Sequence, residues 1–467
     1  MGKSNKAKNV GELKASGYKP LPVKEEIRRN LLALIKAGKN IFPGIIGYGD
    51  TVIPQIENAL ISGQDIVLLG ERGQAKSRVM RLLVGLLDEE IPVISGCEIN
   101  DNPFAPLCKQ CRDRLSVQGE ATEIFWLPRT ERYGEKLATP DITVADLIGD
   151  VDPIKVAEGR YLSDELTIHY GLIPRTNRGI FCINELPDLA ERLQVGLFNL
   201  MEERDIQIRG YRIRLPLDIF LVASVNPEDY TNRGRIITPL KDRFGAQVRT
   251  HYPLTIDDEI SIVEAERRHF TDKDIESHVP RYMKEIIAEV THLARKSADI
   301  NQNSGVSVRV SIANYETILS NAIRRAVALS ESLAVPRISD IPYIHSSTSG
   351  KIELESIEDA KESKVVDDLI KKAVLNVFNR YFPLDSLAAI VAQFSEGFSF
   401  EVSDMMGARS YVRNTSRIAG FDGAIRKLNV PETPEAVASA AEFILEGLHL
   451  NRRLNKTESK GKTIYRR

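Results

Sequence analysis

Two hydrophobic patterns alternate along residues 41–253. Short runs that are almost entirely apolar lie at 66–69, 179–183 and 217–225, as is typical of strands that are covered on both faces. Segments with apolar residues at helical spacing lie before and between these runs, including 51–62 and 188–203. Buried strands separated by helices predict a parallel sheet with helices on both sides.

After Pro253 the pattern becomes helical. Apolar residues recur at helical spacing in the segments 259–269, 282–297, 311–328, 365–381, 383–394 and 434–448. A serine-rich stretch at 346–350, followed by charged residues, is typical of a linker. The predicted division is an N-terminal tail and helix (1–40), an α/β core (41–253), a helical lid (254–345), and a linker with a C-terminal helical domain (346–467).

The N-terminal segment 1–22 is polar and lysine-rich, and we expect it to be loosely ordered. A helix is predicted to follow over 23–37, where apolar residues return at helical spacing up to Gly38. The long segment 130–178 is rich in turns and charges and is predicted to be a functional loop. An alternating stretch around Gly210, at 206–215, predicts a β-hairpin.

The composition indicates a globular protein without a strong charge preference. Of its 467 residues 42% are hydrophobic, and 63 basic side chains nearly balance 65 acidic ones, which disfavours nucleic acid as a partner. No apolar run approaches the length of a membrane span, and the basic N-terminus lacks the apolar core of a signal peptide. We therefore expect a cytoplasmic protein with no membrane partner. Four cysteines in a chain of this length argue against a disulfide framework.

The apolar run 66–69 leads into a candidate phosphate-binding loop. Its residues are Gly70, Glu71, Arg72, Gly73, Gln74, Ala75, Lys76 and Ser77. In the pattern G-x-x-x-x-G-K-[ST], backbone N–H groups surround the β-phosphate, the lysine reaches the phosphate oxygens and the hydroxyl ligates Mg²⁺. Ala75 stands where the pattern has its second glycine. Taken alone, the stretch could also be a glycine-rich turn before a helix.

A second polar element ends the apolar run 179–183. Nucleotide hydrolysis needs acidic groups at the end of such a strand, one for the Mg²⁺ shell and one to activate water. Asn184 occupies the first position and brings no charge, so we expect Mg²⁺ affinity to fall. Glu185 keeps the carboxylate that would polarise the water. The alternative is a strand that ends in two polar residues at a surface loop.

Three further residues could contact a nucleotide. Asn226 ends the apolar run 217–225, and its amide could orient water or touch the γ-phosphate, although Asn-Pro is also a common turn. Arg243 could reach a γ-phosphate held by an adjacent subunit, or form an ordinary surface pair with an acid. Arg309 lies at the start of a predicted helix, and by itself it would be a surface arginine.

These elements occur in an order that resembles the AAA+ ATPases. The segments GERGQAKS, NRGIFCINEL, LVASVNPED, LKDRFG and SVRVS follow one another, and within AAA+ they are most similar to the magnesium chelatase ATPase subunit and MoxR-like proteins. Alanine before the loop lysine is similar to the GTAKS and GIAKS variants of that branch, and the hairpin at 206–215 lies where the branch inserts one. The resemblance spans about residues 41–330.

The resemblance implies a P-loop AAA+ core with a parallel sheet flanked by helices, then an all-α lid and a C-terminal helical domain. It implies ATP bound at Gly70 to Ser77, with Mg²⁺ held by Ser77 and Asn184 and with Glu185 as the catalytic carboxylate. Asn226 would be sensor one, Arg243 an arginine finger acting in trans, and Arg309 sensor two.

At the level of the assembly, the resemblance implies a homo-hexameric ring with a von Willebrand factor A domain protein as partner. The ring would hydrolyse ATP to remodel or metal-load that partner. One alternative is a nucleotide-regulated scaffold with little turnover, which the uncharged Asn184 allows. Another is an AAA+ transcriptional activator, which is disfavoured because the chain has no GAFTGA-type loop and no helix-turn-helix signature.

The cysteines form a separate candidate site. Cys97, Cys108 and Cys111 include the C-x₂-C spacing of a zinc knuckle, and no fourth ligand is evident from the sequence. The alternative is that all three are reduced thiols without a metal. Cys182 lies in the apolar run 179–183 and is predicted to pack there as a small apolar residue.

Overall fold

The chain divides into two compact units, Met1–His251 and Tyr252–Arg467. The computed structural model describes residues 6–157, 164–202, 206–208, 211–213, 215–227, 235–269, 275–302, 304–355, 359–459 and 462–467. Among these residues, no helix combines the length and the apolar character needed to cross a membrane.

A five-stranded sheet forms the centre of the first unit. We number its strands β1 (Ile66–Leu69), β2 (Tyr133–Leu137), β3 (Gly179–Asn184), β4 (Ile219–Val225) and β5 (Ala246–Arg249). Their spatial order is β5-β1-β4-β3-β2, and every neighbouring pair is parallel. The parallel sheet predicted from the apolar runs is therefore confirmed.

The strand register brings the carboxyl ends of the strands to one edge of the sheet. Leu69 of β1 lies opposite Val225 of β4 and Arg249 of β5. At the opposite edge strand, β2, the last residue Leu137 lies opposite Asn184 at the end of β3. The residues that follow β1, β3 and β4 are thereby gathered at the edge where ligands bind in open α/β sheets.

Successive side chains of the strands alternate between two hydrophobic cores. Val67, Phe181 and Leu221 belong to one core, which also contains apolar residues of the helix Glu191–Glu202. Their neighbours Leu68 and Cys182 belong to the other core, together with the helix Val23–Lys36. Both faces of the sheet are thus covered by helices, as continuous apolar strands require.

The remaining elements of the first unit surround this sheet. Its α-helices are Val10–Ala15, Val23–Lys36, Val52–Ile61, Lys76–Leu82, Lys109–Gln118, Val144–Leu147, Pro153–Ala157, Leu172–Arg175, Glu191–Glu202 and Thr238–Arg243. Three antiparallel strand pairs are Glu90–Ile94 with Ile124–Pro128, Gly149–Val151 with Ile168–Tyr170, and Ile206–Ile208 with Tyr211–Ile213. The last pair confirms the hairpin predicted at 206–215.

Two segments of the first unit differ from their prediction. Residues 1–22 include the helix Val10–Ala15, whose Val10 and Leu13 are buried against Ile124. This part of the chain is packed because two apolar residues three positions apart share one face of the helix. The segment 130–178, predicted as a loop, contains the strand β2, which forms the edge of the central sheet.

The second unit is mainly helical. Its α-helices are Ile256–Glu266, Arg281–Ala294, Arg309–Leu329, His345–Thr348, Asp359–Tyr381, Ala388–Ser395, Ala408–Thr415, Phe421–Lys427 and Pro434–Leu450. Pro434–Leu450 is the most buried of them, and Phe443 on this helix stacks on Tyr282 with ring centroids 4.4 Å apart. A short parallel pair joins Glu276–Ser277 to Leu333–Ala334.

One hydrophobic core spans the second unit. Tyr282 and Ile318, before the predicted boundary at 346, belong to the same cluster as Phe378 and Phe443, after it. The unit also contains a three-stranded antiparallel sheet that the sequence pattern did not predict, formed by Phe400–Val402, Lys462–Arg466 and Asn455–Ser459. The apolar residues on both sides of the predicted linker therefore pack together.

Candidate functional site

The candidate phosphate loop connects β1 to the helix Lys76–Leu82. Gly73 and Ala75 both have left-handed backbones, with φ of 78° and 56°. A left-handed residue other than glycine costs roughly 1 kcal/mol, so Ala75 adopts at some cost the conformation that a glycine would take freely.

Lys76, the first residue of this helix, turns its side chain back into the loop. Its Nζ donates hydrogen bonds to the carbonyl oxygens of Gly70 and Glu71, the second at 2.8 Å. It also donates to Asn226 Oδ1 at 2.7 Å, and Asn226 itself is buried. The structure therefore brings together the predicted lysine and the predicted amide at the end of β4.

Neutral side chains behind the phosphate loop, those of Tyr48, Gln74 and Thr250, hold it in place through hydrogen bonds; we call these three residues the brace. Gln74 is buried and accepts a hydrogen bond from Thr250 Oγ1 at 2.6 Å, so its side chain points into the protein. Tyr48 donates its hydroxyl to the carbonyl oxygens of Gln74 and His251, at 2.8 and 2.9 Å. A Cβ at Gly70 would collide with both Gln74 and Thr250, and the close packing of this brace requires glycine there.

Asn184 lies at the centre of a polar cluster beside the loop. Its Oδ1 accepts hydrogen bonds from Ser77 Oγ and from Ser224 Oγ, each at 3.1 Å. Its Nδ2 donates to Glu135 Oε1 at 2.6 Å. Asn184 thus links the predicted Mg²⁺ ligand Ser77 to a carboxylate on the neighbouring strand β2.

Glu135 itself is held by three side chains. Arg81 donates from Nε and Nη2 at 2.8 and 2.9 Å, Tyr133 donates its hydroxyl at 3.0 Å, and Asn184 donates its amide. The Arg81 guanidinium beside Glu135 lowers the pKa of this carboxyl below its usual range. The cluster therefore contains an ionised carboxylate at neutral pH.

Glu185 directly follows β3 and adopts a left-handed backbone at φ 57°. Its backbone N–H donates to Ser224 Oγ at 3.2 Å, which fixes the turn, and the residue is half-buried. A lysine, two hydroxyls, two amides and the carboxylate of Glu135 thus converge on one edge of the sheet, where Glu185 follows β3. This donor set fits a nucleotide phosphate with Mg²⁺, since hard oxygen ligands suit that ion.

The hydrogen bonds described so far do not involve the two predicted arginines. Arg243 ends the helix Thr238–Arg243, pairs with Glu202 at 2.8 Å and lies over the ring of Phe198, 5.7 Å from its centroid. Its side chain is 42% exposed, so part of it can still reach another molecule. Arg309 is the exposed first residue of the helix Arg309–Leu329 in the second unit.

The three predicted cysteines converge in the first unit, and a fourth residue joins them. Ligand atoms of Cys97, Asp101, Cys108 and Cys111 all lie within 4.8 Å of one another. Asp101, Cys108 and Cys111 are buried, and Cys97 is partly buried. We call these four residues the cysteine cluster.

Backbone N–H groups point at the acceptor atoms of the cysteine cluster. Asp101 N donates to Cys97 Sγ at 3.4 Å, and Cys111 N donates to Cys108 Sγ at 3.3 Å. The carboxylate of Asp101 accepts from the backbone of Leu107 and of Cys108, each at 3.0 Å. Hydrogen bonds from the Cys108 and Cys111 thiols lower the pKa of Cys97, whereas burial raises the pKa of Asp101 to about 7.

Cys182 lies outside this cluster. It is fully buried in β3, and burial raises the pKa of its thiol to about 12. Its packing as a small apolar residue therefore agrees with the prediction.

Three residues of these sites were not found from the sequence. Glu135 lies in a segment taken for a loop, and Asp101 lies among turn residues next to Asn100. Ser224 could have been suspected, because it is a hydroxyl in the otherwise apolar strand β4. For the first two, the only signal is spatial proximity.

Comparison with known proteins gives structural neighbours only. No protein-family model matches the chain, and no curated protein matches it in sequence. A model of the complex between subunits BchI and BchD of magnesium chelatase is similar to 70% of this chain and 98% of its own, at 20% identity and a TM-score of 0.35.

Two further solved structures are similar. A candidate ATPase from Cytophaga hutchinsonii covers 77% of this chain and 98% of its own, at 14% identity and a TM-score of 0.32. NtrX from Brucella abortus covers 82% of this chain and 72% of its own, at 13% identity and a TM-score of 0.41.

The predicted fold class is confirmed by the arrangement of the chain itself. A phosphate loop follows β1 of a parallel sheet flanked by helices, and a mainly helical unit comes after it. Magnesium chelatase, named from the sequence, is represented among the similar structures. At these identities and TM-scores, no function is transferred to this chain.

Proposed function

We propose that this protein is an AAA+ ATPase of the magnesium chelatase and MoxR-like branch, which binds ATP with Mg²⁺ at the phosphate loop of its first unit. The observation that carries the proposal is the position of Lys76. Its Nζ lies among the loop carbonyls and 2.7 Å from Asn226 Oδ1, although the two residues are 150 positions apart. A chance turn before a helix would not place its lysine against the polar end of a neighbouring strand.

The residues of the first unit divide the chemistry among them. The loop N–H groups and Lys76 bind the phosphates, and Ser77 with Asn184 would hold Mg²⁺. When bound, Mg²⁺ supplies positive charge that offsets the charge on the phosphate oxygens. Glu185 accepts a proton from the attacking water, and Asn226 orients the γ-phosphate or the water.

The two arginines would act across an assembly. We infer a homo-hexameric ring in which Arg243 reaches the nucleotide of the adjacent subunit, since its side chain is 42% exposed and its partner Glu202 is also partly exposed. Arg309 would be sensor two. The ring would work in the cytoplasm, where it remodels or metal-loads a partner that carries a von Willebrand factor A domain.

The proposal is tested by ATP turnover and ATP binding of purified wild type, Lys76→Ala and Glu185→Gln. We expect Lys76→Ala to weaken ATP binding by at least about a hundredfold, since it removes a charged hydrogen-bond donor to phosphate. Glu185→Gln should bind ATP normally and lose about a hundredfold or more in turnover. Lys36→Ala, an exposed lysine at the end of Val23–Lys36, is the matched control. Equal ATP turnover in all four proteins would refute the proposal that this protein is an ATPase.

One observation favours a second function. Asn184 brings no charge to the predicted Mg²⁺ shell, which would suit a scaffold that assembles on nucleotide and turns over little. Tight ATP binding and nucleotide-dependent assembly, without phosphate release, would select the scaffold over the ATPase.

Assembly has its own test. Native mass spectrometry with and without a non-hydrolysable ATP analogue should show six copies when the analogue is present. Arg243→Ala should then assemble and bind nucleotide but turn over at least about tenfold more slowly, as loss of a charge-stabilising arginine predicts. Full turnover in Arg243→Ala would refute the role in trans.

We also propose that the cysteine cluster holds a structural Zn²⁺ through three sulfurs and the carboxylate of Asp101. Four ligand atoms within 4.8 Å of one another are what a tetrahedral site requires. The backbone N–H groups aimed at Cys97 and Cys108 orient these sulfurs and stabilise them as thiolates. A carboxylate already fixed by two backbone donors offers a defined direction to the ion.

Metal analysis of the purified protein tests this site. We expect about one zinc per chain, and replacement by Co²⁺ should give the absorption bands of sulfur ligation. Asp101→Asn should keep those bands and weaken the metal affinity, whereas Cys111→Ser should remove them. Metal content far below one per chain together with no Co²⁺ bands would leave the cysteines as reduced thiols and overturn the proposal.

A further inference from the structure

We propose that Glu135 supplies the negative charge of the Mg²⁺ site, acting through Asn184 as a positioning residue. The inference rests on the proposed ATP site, and it adds to that site a residue from the edge strand β2. From the sequence alone, Asn184 is expected to weaken Mg²⁺ binding, because an asparagine stands where a carboxylate is expected. In the structure a carboxylate is present, one strand further along the sheet.

The neighbours of the Asn184 amide fix its orientation. Glu135 Oε1 lies 2.6 Å from one end of this amide, and a carboxylate oxygen accepts hydrogen bonds but cannot donate them. The end that faces Glu135 must therefore be the NH₂ group. The oxygen then faces the hydroxyls of Ser77 and Ser224.

The charge of Glu135 changes the electrostatics of the Asn184 amide. An amide that donates to an ionised carboxylate is polarised, which increases the partial negative charge on its oxygen. That oxygen lies 3.1 Å from Ser77 Oγ, the hydroxyl expected on Mg²⁺. Asn184 and Glu135 together can therefore do what a single aspartate would do, with the formal charge displaced by one side chain.

Asparagine at position 184 suits its neighbours better than aspartate would. An aspartate there would place a second carboxylate oxygen 2.6 Å from Glu135 Oε1. Like charges at that distance do not both ionise. Only a residue that donates to Glu135 and accepts from Ser77 satisfies both neighbours, and asparagine has both groups.

A purely structural role for Glu135 makes a different prediction. Its pair with Arg81 could simply hold β2 against the helix Lys76–Leu82. In that case removing Arg81 would resemble removing Glu135. If Glu135 acts through its charge, the two changes have opposite signs, because Arg81 offsets the charge that Glu135 provides.

The experiment measures binding of a fluorescent, non-hydrolysable ATP analogue in EDTA and in Mg²⁺. The quantity compared is the gain in affinity that Mg²⁺ produces. We expect Glu135→Gln to reduce this gain about tenfold, as loss of one charged interaction implies, while the variant still binds the analogue in EDTA. Arg81→Gln should increase the gain. The double variant Glu135→Gln with Asn184→Asp, which exchanges amide and carboxylate, should recover it to within about threefold of wild type.

The outcomes separate the two proposals. If wild type binds no analogue under either condition, the proposed ATP site fails and this inference fails with it. If wild type shows the Mg²⁺ gain and Glu135→Gln keeps it, the role of Glu135 alone is refuted. An equal loss in Glu135→Gln and Arg81→Gln would make Glu135 structural. If thermal melting shows that Glu135→Gln folds poorly, the double variant provides the test. Recovery of the Mg²⁺-dependent gain in affinity would support the role of Glu135, and no recovery would refute it.

Discussion

The proposed ATP site and the cysteine cluster belong to the same unit, but the residues of the first are much further apart in the sequence than those of the second. The cysteine cluster comes from residues 97–111, a single turn-rich segment. The ATP site joins residues from positions 70 to 226, and its contact between Lys76 and Asn226 spans 150 positions. In each site, one acidic residue, Asp101 or Glu135, completes a set that the sequence had left incomplete.

This difference shows what each site depends on. The four residues of the cysteine cluster come from one short segment, and none of them belongs to a strand of the central sheet. The ATP site depends on the register of four strands, since β1, β2, β3 and β4 each place a side chain or the loop at one edge. Variants of either site should therefore separate metal content from nucleotide binding.

The largest effect should follow loss of a cluster cysteine. Cys108→Ser removes a proposed zinc ligand, and we expect zinc to be lost and the free energy of unfolding to fall by about 3 kcal/mol. ATP affinity should stay close to wild type. Thermal melting, zinc content and analogue binding measure the three quantities. Cys182→Ala, a buried cysteine outside the cluster, should keep its zinc; ATP binding lost in step with zinc would show that the sites are coupled.

A smaller effect is expected at the end of β4. Asn226→Ala removes the side-chain acceptor of Lys76 Nζ, and turnover should fall about 10- to 100-fold because the lysine is no longer held toward the phosphate. Zinc content should not change. Steady-state turnover at saturating ATP measures the loss, and a rate within twofold of wild type would contradict the role of Asn226.

A pH-dependent loss of stability is expected when Asn184 is replaced by the aspartate that the sequence pattern has at this position. Asn184→Asp would face Glu135 with a second carboxylate, which raises the pKa of the pair. A raised carboxyl pKa means that stability is lost as pH rises through it, so the variant should lose about 1 kcal/mol between pH 5 and pH 7 relative to wild type.

Thermal melting at the two pH values, without Mg²⁺, measures this loss. Adding Glu135→Gln to the variant is the control, because an amide then faces a carboxylate again and stability should return. A variant as stable as wild type at pH 7, with faster turnover, would show that Asn184 merely lacks a charge.

A similarly small effect is expected at Tyr48, which supports the phosphate loop. Tyr48→Phe removes the hydrogen bonds to the carbonyl oxygens of Gln74 and His251, which should cost about 1 kcal/mol of stability and leave zinc content unchanged. Denaturant unfolding measures the change. Tyr18→Phe, on an aromatic residue stacked edge-on against Trp126, is a matched control that leaves the loop intact.

Three strands of the central sheet, β1, β3 and β4, could be predicted because they are almost entirely apolar, whereas the edge strand β5 could not. β2 could not, since Tyr133–Leu137 is an edge strand that pairs only with β3 and carries Glu135 and Lys136. An edge strand has one partner and needs fewer apolar residues, so its pattern resembles a loop. Missing β2 also meant missing Glu135.

In the second unit, the helices could be predicted but their common core could not. Helical spacing marks Arg281–Ala294 and Pro434–Leu450 separately. Nothing in that spacing shows that Tyr282 stacks on Phe443, 161 positions later. The predicted roles of Arg243 and Arg309 stay predictions, because they concern a neighbouring subunit and the relation between units.

The sequence by itself determined the strand, loop and helix around Lys76 and the polar ends of β3 and β4, because these depend on short-range spacing of apolar, glycine and polar residues. It also marked three cysteines by their spacing. Only the tertiary structure decided that Asn184 lies between Ser77 and Glu135, and that Asp101 lies among the cysteines. The contacts of Asn184 depend on packing between segments that are far apart in the sequence, whereas Asp101 reaches the cysteines through the turns of residues 97–111, which follow no regular spacing.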